Sequence, residues 1–311
     1  MAPARRPRGP RRASSATRHA RARGRAAPVP GAQARREPRR ESRREPRRSS
    51  ELLARTLIAI PAALILILFV DLGGLAFALF ITAIGLVTLH ELYRLLARWR
   101  PLPLVGFASL VGMVLAARYG GQRQVMEVAV ATVPVLFLCV LARGTSNNET
   151  VAIGGTLLGV YWVGLAFAHC ELLRQAPHGN GVLLDVLVGT FLGDTGAYIG
   201  GRLFGRRPLA PAISPNKTVE GMFCGMFMAI LAVFLAGVYQ TWMTQSGALA
   251  LGAAVAVLGP LGDLLESLVK RESGAKDAGT LFGAHGGALD RIDGVLFTVV
   301  AGYYIWLAVM H

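Results

Sequence analysis

From about residue 52 the chain is a series of long apolar runs, separated by short polar or glycine-containing segments. The runs lie at about 52–70, 72–90, 102–117, 125–142, 151–170, 182–201, 219–239, 247–267 and 294–310. Most approach the roughly 20 residues that a helix needs to cross the hydrocarbon core of a bilayer. In lipid every backbone polar group must be satisfied internally, and a helix does this within one segment. The pattern predicts an all-α integral membrane protein with about nine transmembrane helices. Eight is the nearest alternative, because the third run is short and the sixth contains Asp194.

Residues 1–50 have another character. They hold 17 Arg against 3 Glu and 7 of the 16 prolines, and from Arg35 they read RREP-RRES-RREP-RRSS. With almost no apolar side chains, such a segment cannot bury enough surface to offset the entropy of ordering. We therefore expect a disordered Arg/Pro-rich polybasic tail over 1–50 and a polytopic membrane domain over 51–311. The net charge of +15 is almost all in the tail, since the remainder carries 16 basic and 15 acidic groups. Arginine density of this kind suits nucleic acid as well as membrane. Its place directly before a span favours anionic lipid, worth about 1 kcal/mol per basic residue near the surface; no nucleic-acid partner is expected. A targeting peptide is a third reading, but no A-x-A-like cleavage site follows the first apolar run.

With the N-terminus in the cytoplasm, and setting aside the tail and Arg55, the inner loops hold twelve basic residues. The outer loops hold Arg118, Arg123 and Arg174. This agrees with the positive-inside rule. Arg, Ala and Gly richness fits a high-GC bacterium, so the bacterial inner membrane is the expected location. Three scattered cysteines, Cys139, Cys170 and Cys224, argue against a disulfide framework or a zinc site. The pairs Gly155/Gly159, Gly196/Gly200 and Gly221/Gly225 have the spacing that lets helices approach closely in lipid.

The polar residues of the body gather in three segments. The chain has only three lysines, Lys217, Lys270 and Lys276, and all lie in segments expected on the cytoplasmic side. In so arginine-rich a chain, lysine marks places where a compact point charge serves, as in phosphate binding. The first segment is Ser214-Pro-Asn-Lys-Thr-Val-Glu-Gly221, which Pro215 keeps out of a helix. Thr218 and Glu220 read first as a helix cap and a dipole partner; Lys217 and Thr218 could equally face a phosphate at that helix N-terminus. The second segment carries Asp263 and Glu266 on one helix face. An i,i+4 pair of Glu266 with Lys270 accounts for Glu266 and leaves Asp263 unexplained.

The third segment is a glycine-rich loop from Lys276 to Gly294. Asp290 as N-cap, with Asp293 in the first turn, is the ordinary meaning of its acidic pair. His285 alone reads as a satisfied loop histidine. The convergence of all these groups on one membrane face changes the weighing. Asp263, Glu266, Asp290 and Asp293 beside Lys217, Lys270, Arg271 and Lys276 suit a magnesium-bound polyphosphate. No GxxxxGK[ST] occurs, which excludes a P-loop.

The run Ser267-x-Val269-Lys270-Arg271-x4-Lys276-Asp277-x-Gly279-x2-Phe282-Gly283-x-His285-Gly286-Gly287-x2-Asp290-Arg291-Ile292-Asp293 resembles the signature of the phosphatidate cytidylyltransferases, or CDP-diacylglycerol synthases. Ala288 departs from it, where a larger aliphatic residue is expected. Gly193-Asp194-Thr195-x-Ala197-Tyr198 and Ser214-Pro215-x-Lys217-Thr218-x-Glu220-Gly221 also resemble family segments. The resemblance covers about 52–311 and gives the tail no meaning.

It implies transfer of the cytidylyl group of CTP to phosphatidate, giving CDP-diacylglycerol and pyrophosphate with Mg²⁺. It also implies an all-helical membrane fold, a homodimer, and room for a second, monovalent cation such as K⁺. Carried over by position, Asp263, Asp290 and Asp293 are metal ligands, while Lys270 and Arg271 join them in catalysis and hold phosphates with Lys217 and Lys276. Asp194, Ser214, Thr218, Glu220, Ser267, Asp277, His285, Gly286, Gly287 and Arg291 complete the implied substrate site, His285 as a positioning group at most. A CTP-dependent polyprenol or phytol kinase would release CDP instead, and the long HGG–DRxD signature favours the cytidylyltransferase. A transporter would place its ionisable groups near the bilayer midplane, where only Asp194 is clearly deep.

Overall fold

The computed structural model describes residues 48–144, 148–279 and 286–310. The disordered tail expected over 1–50 falls outside these residues up to 47, and so does His285. The helices are α1 (Arg48–Leu72), α2 (Gly74–Leu95), α3 (Pro103–Gly120), α4 (Gln122–Arg143), α5 (Glu149–Gly159), α6 (Leu165–Gln175), α7 (Gly179–Phe204), α8 (Val219–Tyr239), α9 (Gln245–Ser273) and α10 (Leu289–Met310). A π-helical turn, Val160–Gly164, joins α5 and α6 into one span, Glu149–Gln175. Eight spans among the described residues are long and apolar enough to cross a membrane, and α1 adds the shorter apolar stretch Ile60–Leu72. Each predicted run therefore coincides with a helical segment.

The bounds move where polar residues extend a helix beyond its apolar run. Helix α9 continues to Ser273 because Glu266 and Lys270 pair along it, and it closes on Gly274 in the left-handed conformation that glycine adopts without penalty. Helix α10 starts at Leu289, five residues before the apolar run, because Asp290 in its first turn accepts a backbone amide and Asp293, one turn after the start, accepts the amide of Gly294.

One segment departs from the all-α expectation. Pro208–Ala210 (β1) and Ser214–Thr218 (β2) pair as an antiparallel hairpin, with Pro208 opposite Thr218 and Ala210 opposite Ser214. Pro215 excludes helix here, and the turn at 211–213 returns the chain to the start of α8.

Small residues set the helix packing around the site. A Cβ on Gly225 of α8 would lie 2.7 Å from the Gly193 carbonyl oxygen of α7, and one on Gly200 would lie 2.3 Å from the Cys224 Cβ. The Gly196/Gly200 and Gly221/Gly225 spacing thus serves contact of α7 with α8, whereas Gly155 and Gly159 lie against the side chains of Trp99, Leu89 and Tyr93. Thr190 and Thr298 hydroxyls meet at 2.9 Å where α7 approaches α10. Leucines and phenylalanines such as Leu79, Leu104, Phe137 and Phe227 are exposed on the outer helix faces. Such broad apolar exposure suits lipid contact.

Candidate active site

The hairpin places Lys217 against α9, where its ammonium pairs with the Asp263 carboxylate. Arg271, two turns further along α9, donates from Nε to the Ile213 carbonyl at 3.1 Å and ties the hairpin turn to the same helix. Thr218 caps α8 by accepting the Gly221 amide at 3.1 Å. Glu220 accepts the backbone amides of Arg206 and Arg207 at 2.9 and 3.1 Å, bracing the entry to the hairpin. The capping reading of Thr218 therefore holds, and Glu220 acts on the hairpin's backbone.

One turn after Asp263, the buried Glu266 carboxylate lies 2.7 Å from the Lys270 Nζ. The same ammonium reaches Asp290 Oδ1 at 2.8 Å. Lys270 is thus shared between α9 and α10, more than the i,i+4 pair that the spacing alone describes. Asp290 is not the N-cap. It sits inside the first turn of α10 and accepts amides that precede it, Gly287 at 2.7 Å and Ala278 at 2.9 Å. Gly286, at φ +82°, shapes the turn that makes this possible. Asp293 is buried one turn later, with Oδ1 accepting the amide of Gly294 at 2.8 Å.

Asp263, Glu266 and Asp293 bring one carboxylate oxygen each to within 4.8 Å of one another. Asp194 of α7 is in electrostatic reach of Asp263, Asp293 and Lys217. Five carboxylates thus meet two lysines, so the fixed charge is short of cations. Glu266 Oε1 is buried and has no hydrogen-bond partner among the described residues. An oxygen in that position costs free energy unless something positive or a donor meets it, so this donor set fits a hard divalent cation.

The sequence resembles known proteins along nearly all of the membrane body. The profile of the Cytidylyltransferase family matches residues 53–309. The chain belongs to that family. The phosphatidate cytidylyltransferase of Bacillus subtilis (strain 168) is 33% identical over 264 residues, covering 81% of this chain and 96% of that protein. Its namesake from Staphylococcus epidermidis (strain ATCC 12228 / FDA PCI 1200) is 34% identical over 252 residues, covering 79% and 95%. That of Staphylococcus aureus (strain COL) is 32% identical over 251 residues, with the same shares.

In this cytidylyltransferase-family chain the predicted residues do not all converge equally. Lys217, Asp263, Glu266, Lys270, Asp290 and Asp293 form the connected centre, with Asp194 beside it. Ser214 pairs with Ala210 in the hairpin, and Ser267 is half-buried on α9. Lys276 and Asp277 are exposed in the loop after α9, Arg271 at its end, and Arg291 in the first turn of α10. Gly286 and Gly287 are buried against the acids they serve.

Glu91 was not legible as part of this centre. It is buried near the end of α2, and its Oε2 accepts the amide of Leu289 at 2.9 Å. The available signal was a carboxylate directly after the apolar run 72–90, a position that is costly at a membrane edge without a partner.

Proposed function

We propose that this membrane protein transfers the cytidylyl group of CTP to phosphatidate, releasing pyrophosphate and forming CDP-diacylglycerol. The carrying observation is the alternation of acids and lysines from the hairpin through α9 to α10, with Asp263, Glu266 and Asp293 grouped at its middle. That arrangement meets both needs of the reaction, a place for a cation and fixed ammonium groups for phosphate oxygens.

The phosphatidate phosphate is ionised at neutral pH, so its oxygen attacks the α-phosphorus without a strong base. The new P–O bond forms as the bond to the pyrophosphate oxygen breaks, and pyrophosphate carries away the electron pair. Lys217 and Lys270 neutralise charge on the oxygens of the nucleotide and lipid phosphates, assisted at the rim by Arg271 and Lys276. Asp263, Glu266 and Asp293 would hold Mg²⁺, which when bound neutralises charge on the transferring group. Asp290 fixes Lys270 and the loop amides. The excess of basic residues in the loops expected inside supports a centre facing the cytoplasm of a bacterial cell, and the charge of the basic tail suits anionic lipid.

A product assay on the purified protein, with CTP, phosphatidate and Mg²⁺, tests the reading. Equimolar pyrophosphate and CDP-diacylglycerol, both lost in Asp293→Asn, are expected. Release of CDP with a polyprenol, and no product from phosphatidate, would assign a lipid kinase instead.

A further inference from the structure

Two stretches of chain meet at Asp290, and a second carboxylate meets the same two. Asp290 accepts the amides of Ala278 and Gly287. Glu91, reaching in from α2, accepts the amide of Leu289, and its oxygens lie against Gly279 and Gly287. A Cβ on Gly279 would fall 2.2 Å from Glu91 Oε1, and one on Gly287 would fall 2.3 Å from Oε2. Neither glycine has a positive φ. Their lack of a side chain serves space for this carboxylate and not backbone conformation.

A residue kept only to fill this gap would be apolar. Glu91 is buried and has no ion-pair partner among the described residues, so desolvation of an acid here needs a compensating interaction. The Leu289 amide is one of the donors that the first turn of α10 cannot satisfy internally, and an anion there is favoured by the helix dipole. The next residue is Asp290 and one turn on is Asp293. A shift of the Leu289 backbone therefore moves both acids and, through Asp290, Lys270.

We propose that Glu91 is a positioning residue for nucleotidyl transfer: it fixes the backbone of Gly279, Gly287 and Leu289, and so the acids at the start of α10. The inference rests on the reaction proposed above for its effect on rate, and on the geometry alone for its effect on the backbone. Glu91 meets no reacting atom.

The test uses Glu91→Met, which keeps bulk and removes the acceptor, and Glu91→Gln, which keeps an acceptor oxygen. Loss of a buried hydrogen bond from a charged acceptor predicts that Glu91→Met lowers kcat about tenfold or more, with KM for CTP and phosphatidate changed by less than about twofold. Glu91→Gln should recover most of the rate. Gly279→Ala should be damaging in the wild-type background and no further damaging in Glu91→Ala, because the clash has been removed. A residue serving only as filler would leave Met at least as active as Gln, and additive Gly279 and Glu91 losses would show that the two are not in contact; either result overturns the proposal. Hydrogen exchange over residues 276–279 and 286–293 supplies a readout independent of turnover. It should rise about tenfold in Glu91→Met and stay unchanged elsewhere. Unchanged exchange there overturns the clamp even if catalysis falls. A wild-type protein inactive on phosphatidate would sink the reaction while leaving the exchange result to decide Glu91.

Discussion

A Cβ on Gly262 would stand 2.3 Å from the carbonyl oxygen of Asp293, so α9 and α10 make backbone contact at the level of the acidic group. Asp263 follows Gly262 directly, and Glu266 lies one turn beyond. Two helices therefore present their carboxylates to one small volume because no side chain separates them. Gly259 and Gly294 continue the contact, with a Cβ on Gly294 falling 3.3 Å from the Gly259 carbonyl.

Gly262→Ala should accordingly push α10 away and separate Asp293 from Asp263. Overpacking of this kind costs about 1–3 kcal/mol. The expected result is a lowered midpoint of thermal unfolding in detergent together with a loss of product formation. Full activity in a normally stable Gly262→Ala protein would show that the close crossing does not set the site.

Lys270 neutralises Glu266 and Asp290 together. Replacing it with Met leaves two adjacent acids uncompensated, and breaking a buried pair from one side costs about 3 kcal/mol. Lys270→Met should therefore unfold at a lower temperature than wild type, and Glu266→Gln combined with it should recover part of that loss. Both proteins should be inactive. If the double variant is no more stable than Lys270→Met, the shared ammonium is not what stabilises this crossing.

Much of this architecture was legible in the chain because membrane helices are written in local composition. The runs from 72–90 to 294–310 needed only residue-by-residue polarity. The i,i+3 spacing of Asp263 with Glu266 likewise placed that pair on one face. What local reading missed depends on partners far along the chain. Asp263 is met by Lys217 from the hairpin, Lys270 bridges to Asp290, and Glu91 accepts an amide 198 residues away. The hairpin escaped notice because its strands are three and five residues long, too short to show a period of two. Of the acids in the metal set implied by the family resemblance, Asp263 and Asp293 stand with Glu266, while Asp290 adjoins them with its oxygens engaged by Lys270 and two amides.

Thr218 separates capping from chemistry. Its hydroxyl accepts the Gly221 amide, and Gly221 packs closely on Gly201 and Ala197 of α7. Thr218→Ala should cost about 1 kcal/mol as a lost cap, while Thr218→Ser should be close to wild type in both unfolding temperature and rate. Should Thr218→Ser lose activity while keeping its stability, the methyl group would have a substrate contact that the cap does not describe.

The acidic group makes a further distinction testable by titrating the metal. Asp263, Glu266 and Asp293 each have an oxygen near the common centre, and Glu266 Oε1 has no hydrogen-bond partner among the described residues. Asp290 accepts from Lys270, Ala278 and Gly287. Chelation should abolish activity, and added Mg²⁺ should restore it. Glu266→Gln should then raise the Mg²⁺ concentration for half-maximal activity about tenfold or more, as expected when a group that holds the ion is weakened. Asp290→Asn should lower the rate at saturating metal and move that midpoint much less. Direct Mn²⁺ binding to the same proteins without substrates provides a second measurement that does not depend on turnover. If Asp290→Asn weakens Mn²⁺ binding and Glu266→Gln does not, the ion is held by the α10 acids and Glu266 serves only to orient Lys270.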